Sequence, residues 1–343
     1  MSARGGVNGR AIAYRLLDDA GDPARTLAAT RQLVEQDAVF AVVGPLGTEQ
    51  STATRDYLHQ LRVPQLFVGS GAATFGADFA RYPYTIGFQP SYRAEGWIYG
   101  RYLARARPGA TVAVLLSDDA LGNELLEGLR QGIARSRVRI VAVQAHEPGA
   151  TDMQPQLAAL QASGASVLAL FSAPRASIQS YAVANRLGWR PFVVTNAAAS
   201  AATVMTAASQ RRTNTLVEGS ISIAFLKDPL ASRWRTDAGV RLYRSIMSRY
   251  AKGANASDLA HAYGMALAYE TVRLLKAAGR TPTRAAVVEQ LARLRDASNP
   301  FLLPGIEIET GPGERFPVEQ ALLQRWSRGG WTSFGGLWSH RSG

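Results

Sequence analysis

Residues 38–74 read AVFAVVGPLGTEQSTATRDYLHQLRVPQLFVGSGAAT, and this stretch decides the fold. Two short apolar runs, Val39 to Val43 and Gln65 to Val68, have the length and β-branched content of buried strands. Each ends in a loop of small residues, Gly44-Pro45-Leu46-Gly47-Thr48 and Gly69-Ser70-Gly71-Ala72-Ala73-Thr74. Gln50 to Leu61, between them, is expected to be a helix. Strand, helix and strand at this spacing predict a parallel unit whose ligand crevice opens at the carboxyl ends of the strands. Small residues there let a ligand approach backbone N–H groups, and the hydroxyls of Thr48, Ser70 and Thr74 add donors. Two such ledges in succession suit an anionic or strongly polar small molecule.

The same alternation extends in both directions. Ala11 to Leu17 alternates as a strand, and Asp22-Pro23 starts a helix with Asp at the cap and Pro at its first position. Leu27, Ala28 and Val34 are expected on that helix's buried face. Tyr84 to Phe88 reads as a strand and Tyr92 to Ala106 as a helix stopped by Pro108-Gly109. A second unit follows, with strands at Thr111 to Leu116, Val138 to Val143, Val167 to Phe171 and Phe192 to Thr195. Its helices are expected after the Ser117-Asp118-Asp119 cap and at Met153 to Ser163, Arg175 to Leu187 and Ala201 to Ala208. Beyond Leu216, the alternation of Ile221, Ile223 and Phe225 suits a strand joining two lobes. Three helices come next, lined by Val240 to Tyr250, Leu259 to Leu267 and Val287 to Leu294. The stretch from Ile306 to Trp326 is punctuated by a turn at Gly311-Pro312-Gly313 between strands.

The chain has 343 residues, 47% of them hydrophobic and 19% charged, which describes a folded protein large enough for two domains. No run approaches the ~20 apolar residues of a membrane span. With no cysteine, disulfides and thiolate metal sites are excluded, and the four histidines have no metal-ligand spacing. No metal and no cofactor is expected. The net charge of +12 is nearly all arginine, scattered rather than run together, so nucleic-acid binding is not expected. The first residues lack the apolar core of a signal peptide, so either the chain is cytoplasmic or an upstream segment is missing.

GGVNGR (Gly5 to Arg10), DDAGDP (Asp18 to Pro23), VFAVVGPLGT (Val39 to Thr48), PQLFVGSGAAT (Pro64 to Thr74), YTIGFQPS (Tyr84 to Ser91) and SDDALGNELLEGLRQGI (Ser117 to Ile133) occur in an order and spacing that resemble one family over nearly the whole chain. That family is the solute-binding proteins of branched-chain amino-acid-type ABC importers. These are type I periplasmic binding proteins like the leucine/isoleucine/valine-binding protein. The resemblance implies an α/β fold of two doubly wound parallel-sheet lobes joined by three crossing strands. Residues 1–90 and 222–320 would form lobe one, and 91–221 and 321–343 lobe two. It implies a small-molecule ligand between the lobes, an ABC permease in the membrane as partner, no enzymatic activity and a monomeric, periplasmic protein.

Carried over by position, Gly47 and Thr48 match the family loop that holds a ligand carboxylate, and Ser70, Ala72, Ala73 and Thr74 match the second such loop. Leu121 stands where amino-acid binders carry a covering Tyr, and Ser172 and Ala173 where another aromatic is common. Asn196 falls near the acidic residue that pairs with an α-ammonium. A neutral Asn there leaves a desolvated ammonium without its counter-charge. The expected ligand is therefore a carboxylate without an α-amino group, unless Asp118 or Asp119 supplies the missing charge.

The resemblance also begins late, without the family's opening strand and helix. Ala11 to Leu17 would then lack its usual neighbour, and would stay unpaired unless it shifts toward Val39 to Val43 or pairs with another chain. A shortened chain or a misassigned start is preferred to a truncated relative with altered function. The alternative function within the fold is the ligand-sensing domain of a regulator. Outside it stands a hydrolase, against which the absence of a nucleophile elbow or P-loop counts.

Overall fold

The computed structural model describes residues 5–340. Its first half opens with helix α1 (Pro23–Arg31), strand β1 (Val42–Val43), helix α2 (Thr48–Gln60), strand β2 (Gln65–Val68), the short helix α3 (Thr74–Ala77) and strand β3 (Thr85–Gly87). The three strands form a parallel sheet in the order β1-β2-β3. Asp22 caps α1 by accepting from the Arg25 N–H, with Pro23 at the first turn as the sequence suggests.

Helix α4 (Tyr92–Ala106) leads into the alternating series β4 (Thr111–Ser117), α5 (Ala120–Ile133), β5 (Arg139–His146), α6 (Gln154–Ala162), β6 (Val167–Phe171), α7 (Pro174–Arg186), β7 (Phe192–Thr195), α8 (Ala202–Ala208) and β8 (Ile221–Ala224). Helices α9 (Ala238–Tyr250), α10 (Leu259–Ala277) and α11 (Arg284–Leu291) follow. Next come β9 (Arg295–Asp296), β10 (Ile308–Glu309) and the hairpin of β11 (Gln320–Ser327) with β12 (Gly330–Ser339). The larger sheet runs β12-β11-β8-β7-β6-β4-β5. Its β4 to β8 pairs are parallel, and the β11/β12 hairpin adds antiparallel strands at one edge, β12 being a strand the sequence reading omits.

Buried apolar side chains gather in three clusters. One joins Leu66, Phe67, Ile86 and Phe88 of the smaller sheet to α9, α10 and α11, so the late helices cover the early strands. The other two cover the two faces of the larger sheet, one with α4 and α5 and with Val68, Ala72 and Phe75 of the first unit, the other with α6, α7 and α8. The continuous apolar runs of β4 and β6 follow from this double cover, because strands buried on both faces lose the polar alternation.

Three expectations need correction. Ala11 to Leu17 is not a strand: the segment joins neither sheet, and Tyr14 and Leu16 are exposed. An alternating pattern becomes a strand only when it lies along the edge of a neighbouring strand. Val39 to Val43 contributes two strand residues rather than five, since Val42 and Val43 alone align with Gln65 and Leu66. On α1 the buried residues are Thr26 and Thr30, while Ala28 is exposed and Leu27 half-buried, and Val34, beyond the end of α1, is half-buried too.

Candidate ligand-binding site

The two small-residue loops lie side by side. Leu46 bridges to Gly69, the Gly69 N–H donates to the Pro45 carbonyl at 2.8 Å, and the Gly47 N–H donates to the Gly69 carbonyl at 3.3 Å. The Thr48 and Ser70 hydroxyls meet at 2.6 Å, and Ser70 Oγ also accepts from the Ala72 N–H at 3.1 Å. Gly47, at φ 98°, precedes α2 and gives its first-turn N–H groups no side-chain cap.

Local backbone geometry sets up this ledge. Between Gln65 and Val68 the pairing of β2 with β3 slips by a residue, and the buried Phe67 takes φ 57°. A bulky residue in that region costs about 1–3 kcal/mol and persists where packing holds it. Here Phe67 sits in an edge-to-face contact with Phe88, 5.3 Å between centroids. The bulge turns the end of β2 and aims Gly69 to Thr74 across the end of β1.

Behind the ledge lies a buried cation. The Arg55 guanidinium donates to Thr74 Oγ1 at 2.7 Å and its carbonyl at 3.3 Å, and stacks over Tyr82 at 3.8 Å. Thr74 in turn donates to Asp78. The Thr74 hydroxyl is thus engaged within its own loop.

In front of the ledge stands a carboxylate. The Ala73 N–H donates to both oxygens of Glu124, at 2.9 Å and 3.2 Å. Glu124 projects from α5, on the larger sheet, so this contact crosses from one sheet's unit to the other's. Burial pushes its carboxyl up, while the Ala73 N–H and the charge of Arg93 pull it down.

The other predicted residues cluster at the carboxyl ends of the larger sheet's strands. Asp119 caps α5: one oxygen accepts from the Gly122 N–H at 3.0 Å, the other from the Ser117 hydroxyl at 2.6 Å. Leu121 is half-buried against the core of α4 and α5, and Ala173 is exposed at the start of α7. Asn196 is buried; its Oδ1 accepts from the Ser172 N–H at 3.2 Å, and its Nδ2 has no hydrogen-bond partner. The structure therefore brings Gly47, Thr48, Ser70, Ala72 and Ala73 together, ties Thr74 and Asp119 into local bonds, and sets Leu121, Ala173 and Asn196 on the other unit.

A second carboxylate was not foreseen. Glu95, on the buried face of α4, accepts from the Ala197 N–H and the Tyr99 hydroxyl, both at 2.6 Å. It lies beside Asn196, where the sequence suggested that no acid stands. Burial pushes its carboxyl up to about 7. The helical spacing of Glu95 with Tyr99, and its place between Ala94 and Gly96, were the available signal. Glu124 had none, since an acid on an amphipathic helix reads as surface.

The larger hollow, about 60 Å³, lies at the strands leading out of β8 and is lined by Ala197, Phe225, Asp228, Leu259, Gln324 and Trp331 among others. None of the ten predicted residues lines it. A smaller one of about 10 Å³, room for about one water, touches Ser70 and Ala72. The ledge, where donors converge, is the better candidate site; the larger hollow is walled mainly by apolar atoms. Among the described residues no cluster of His, Asp or Glu could hold a metal ion.

Two α/β units with a row of backbone and hydroxyl donors between them define a binding protein of the two-lobed kind. The chain belongs to the periplasmic binding protein family, whose sequence profile matches residues 1–330. An amino acid binding protein of Pseudomonas aeruginosa is 24% identical over 174 residues, 49% of this chain and 44% of that protein, so the chain matches less than half the length of this relative. A branched-chain amino acid ABC transporter protein from Thermus thermophilus, solved with bound valine, has a TM-score of 0.83 at 18% identity, covering 99% of this chain and 88% of that one. A solute-binding protein of an ABC transporter from Rhodopseudomonas palustris BisB5, in complex with 3,4-dihydroxybenzoic acid, has a TM-score of 0.80 at 16% identity, covering 98% and 89%. These likenesses show a shared fold.

Proposed function

We propose that this chain is the extracytoplasmic solute-binding component of an ABC importer, and that it holds a small carboxylate-bearing molecule without an α-ammonium group. Lobe one would comprise residues 1–90 and 222–320, lobe two 91–221 and 321–343, and the closed pair would be what a membrane permease recognises. Family membership supports the class. The observation that carries the ligand chemistry is the carboxylate of Glu124 on the Ala73 N–H: the ledge holds a carboxylate with the protein's own atoms.

The cation end of an amino acid finds less. Asp119 has both oxygens engaged, and Glu95 is 3% exposed with its bonds directed inward. Asp228, in the larger hollow, already accepts from the Leu230 N–H, and burial pushes its carboxyl up. At the ledge the facing acid is Glu124, which already takes the Ala73 N–H, so an ammonium would have to compete for it to replace its hydration. The likeness to a dihydroxybenzoate complex is compatible with an acid of this kind.

Calorimetric titration with benzoate, 3,4-dihydroxybenzoate, valine and leucine tests the reading. The acids are expected to bind and the amino acids to bind far more weakly. Ser70→Ala should weaken the acids about tenfold, the scale of one lost hydrogen bond to a charged group. Tight binding of valine that Asp228→Asn abolishes, with no binding of the acids, would overturn it.

A further inference from the structure

Glu124 does more than show what the ledge accepts. It is half-buried on α5, three residues before Glu127, which pairs with Arg93 at 3.0 Å. Two acids at this spacing on one helix face repel. Burial also disfavours the charged form of Glu124, so the position is costly for a carboxylate unless something offsets it. The two bonds from the Ala73 N–H are that offset, and they come from the other unit. A polar contact that joins the two units, on the atom an acid solute would use, cannot coexist with that solute in the same place.

We propose that Glu124 is a resident competitor: its carboxylate closes the empty cleft onto the Ala73 N–H, and an acid solute binds by displacing it, so that Glu124 sets which acids are held. The inference rests on the acid-binding reading for its second half and on geometry alone for its first. A closed state of the empty protein lowers the apparent affinity for any solute that needs the ledge free, in proportion to the fraction left open. Weak acids with little other contact would be rejected, and acids with enough apolar surface to pack between the lobes would still displace the side chain. The differential affinity that drives closure is then partly supplied by the protein itself.

The test separates the two halves. Small-angle scattering of the solute-free protein reads closure without any solute. Glu124→Ala is expected to shift the radius of gyration upward, acetate at tens of millimolar to shift it back by taking the vacated place, and Glu127→Ala to leave it unchanged. Calorimetry with benzoate is expected to show about tenfold tighter binding to Glu124→Ala than to the parent, the gain if about nine molecules in ten are latched. Glu124→Gln keeps one acceptor and loses the charge, so a smaller change in both readouts is expected; it serves if the alanine variant loses its circular dichroism. Unchanged scattering in the folded variants, or weaker benzoate binding to them, would overturn the proposal. If scattering shifts while benzoate binds to neither protein, the latch stands and the acid-solute reading falls.

Discussion

Glu95 shows how a single buried acid ties stability to pH. Its carboxyl is pushed up to about 7 from an ordinary 4.5, first by burial, against the opposing bonds from Tyr99 and Ala197. Between those two values the folded chain keeps a proton that the unfolded chain has released, so stability is full below the lower value and falls as pH rises toward the upper one. The total is on the order of 3 kcal/mol, from a shift of about two and a half units. Glu95→Gln preserves an acceptor for the Tyr99 hydroxyl and the Ala197 N–H but cannot titrate. Thermal unfolding of the parent should therefore lose ground to the variant as buffer pH is raised from about 5 to about 8. A difference between the two proteins that stays constant over that range would refute the assignment. Residues of this kind mark where sequence reading ends. Thr48, Ser70 and Ala72 are legible because each follows an apolar run that must be a strand, and strand ends are where a parallel sheet keeps its ligands. Asp119 is legible as a cap. Whether Glu95 or Glu124 faces water depends on which distant loop lies over its helix, and nothing local encodes that.

At the scale of elements, the α4–α5 pair is the tightest joint near the site. Gly96 and Gly128 meet backbone across the crossing: a Cβ at Gly128 would stand 2.1 Å from the Arg93 carbonyl oxygen, and one at Gly96 would stand 2.1 Å from that of Leu125. No side chain can yield there, because the obstacles are main-chain atoms. Gly128→Ala should therefore cost at least the 1–3 kcal/mol typical of overpacking, measured by urea denaturation, even though alanine is the better helix former. A neutral or stabilising result would mean the helices can slide apart. Since α5 carries Glu124 and α4 carries Glu95, the same variant should also loosen the site. Elements with closed local signals were the legible ones. The helix Tyr92–Ala106 and the strand Phe192–Thr195 have the bounds that their caps, prolines and apolar runs define. Ala11 to Leu17 has the right alternation but joins no sheet, and a place in a sheet is not a property of the segment. The β11/β12 hairpin closes on Arg328 and Gly329, both at positive φ, a turn whose sequence also suits an open loop.

Across the whole molecule, burial is unevenly shared. The smaller sheet has three strands, one of them two residues long, and the apolar side chains left exposed in this half of the chain include Tyr14 at 68%, Leu16 at 81% and Leu46 at 74%. Apolar surface left in water adds nothing to stability, so this unit leans on α9, α10 and α11 for its core. The larger sheet is covered on both faces. Val68, Ala72 and Phe75 also pack into the cluster of α4 and α5, so the units are joined there, but with burial this unequal the smaller sheet should open before the larger one. Of the six tryptophans, Trp97 and Trp338 pack on one core of the larger sheet, and Trp189, Trp326 and Trp331 on the other. Trp234 alone packs with the smaller sheet's cluster. Tryptophan emission thus reports mostly the better-buried unit, while far-ultraviolet circular dichroism reports both. In urea the dichroism should begin to fall at a lower concentration than the emission, and coincident curves would show a single cooperative body. A solute gripped by both units stabilises their joined form by about 2.7 kcal/mol at a hundred times its dissociation constant, so the two transitions should draw together as an acid that binds is added. An added solute that raises one midpoint and leaves the other in place would show that only one of the two units holds it.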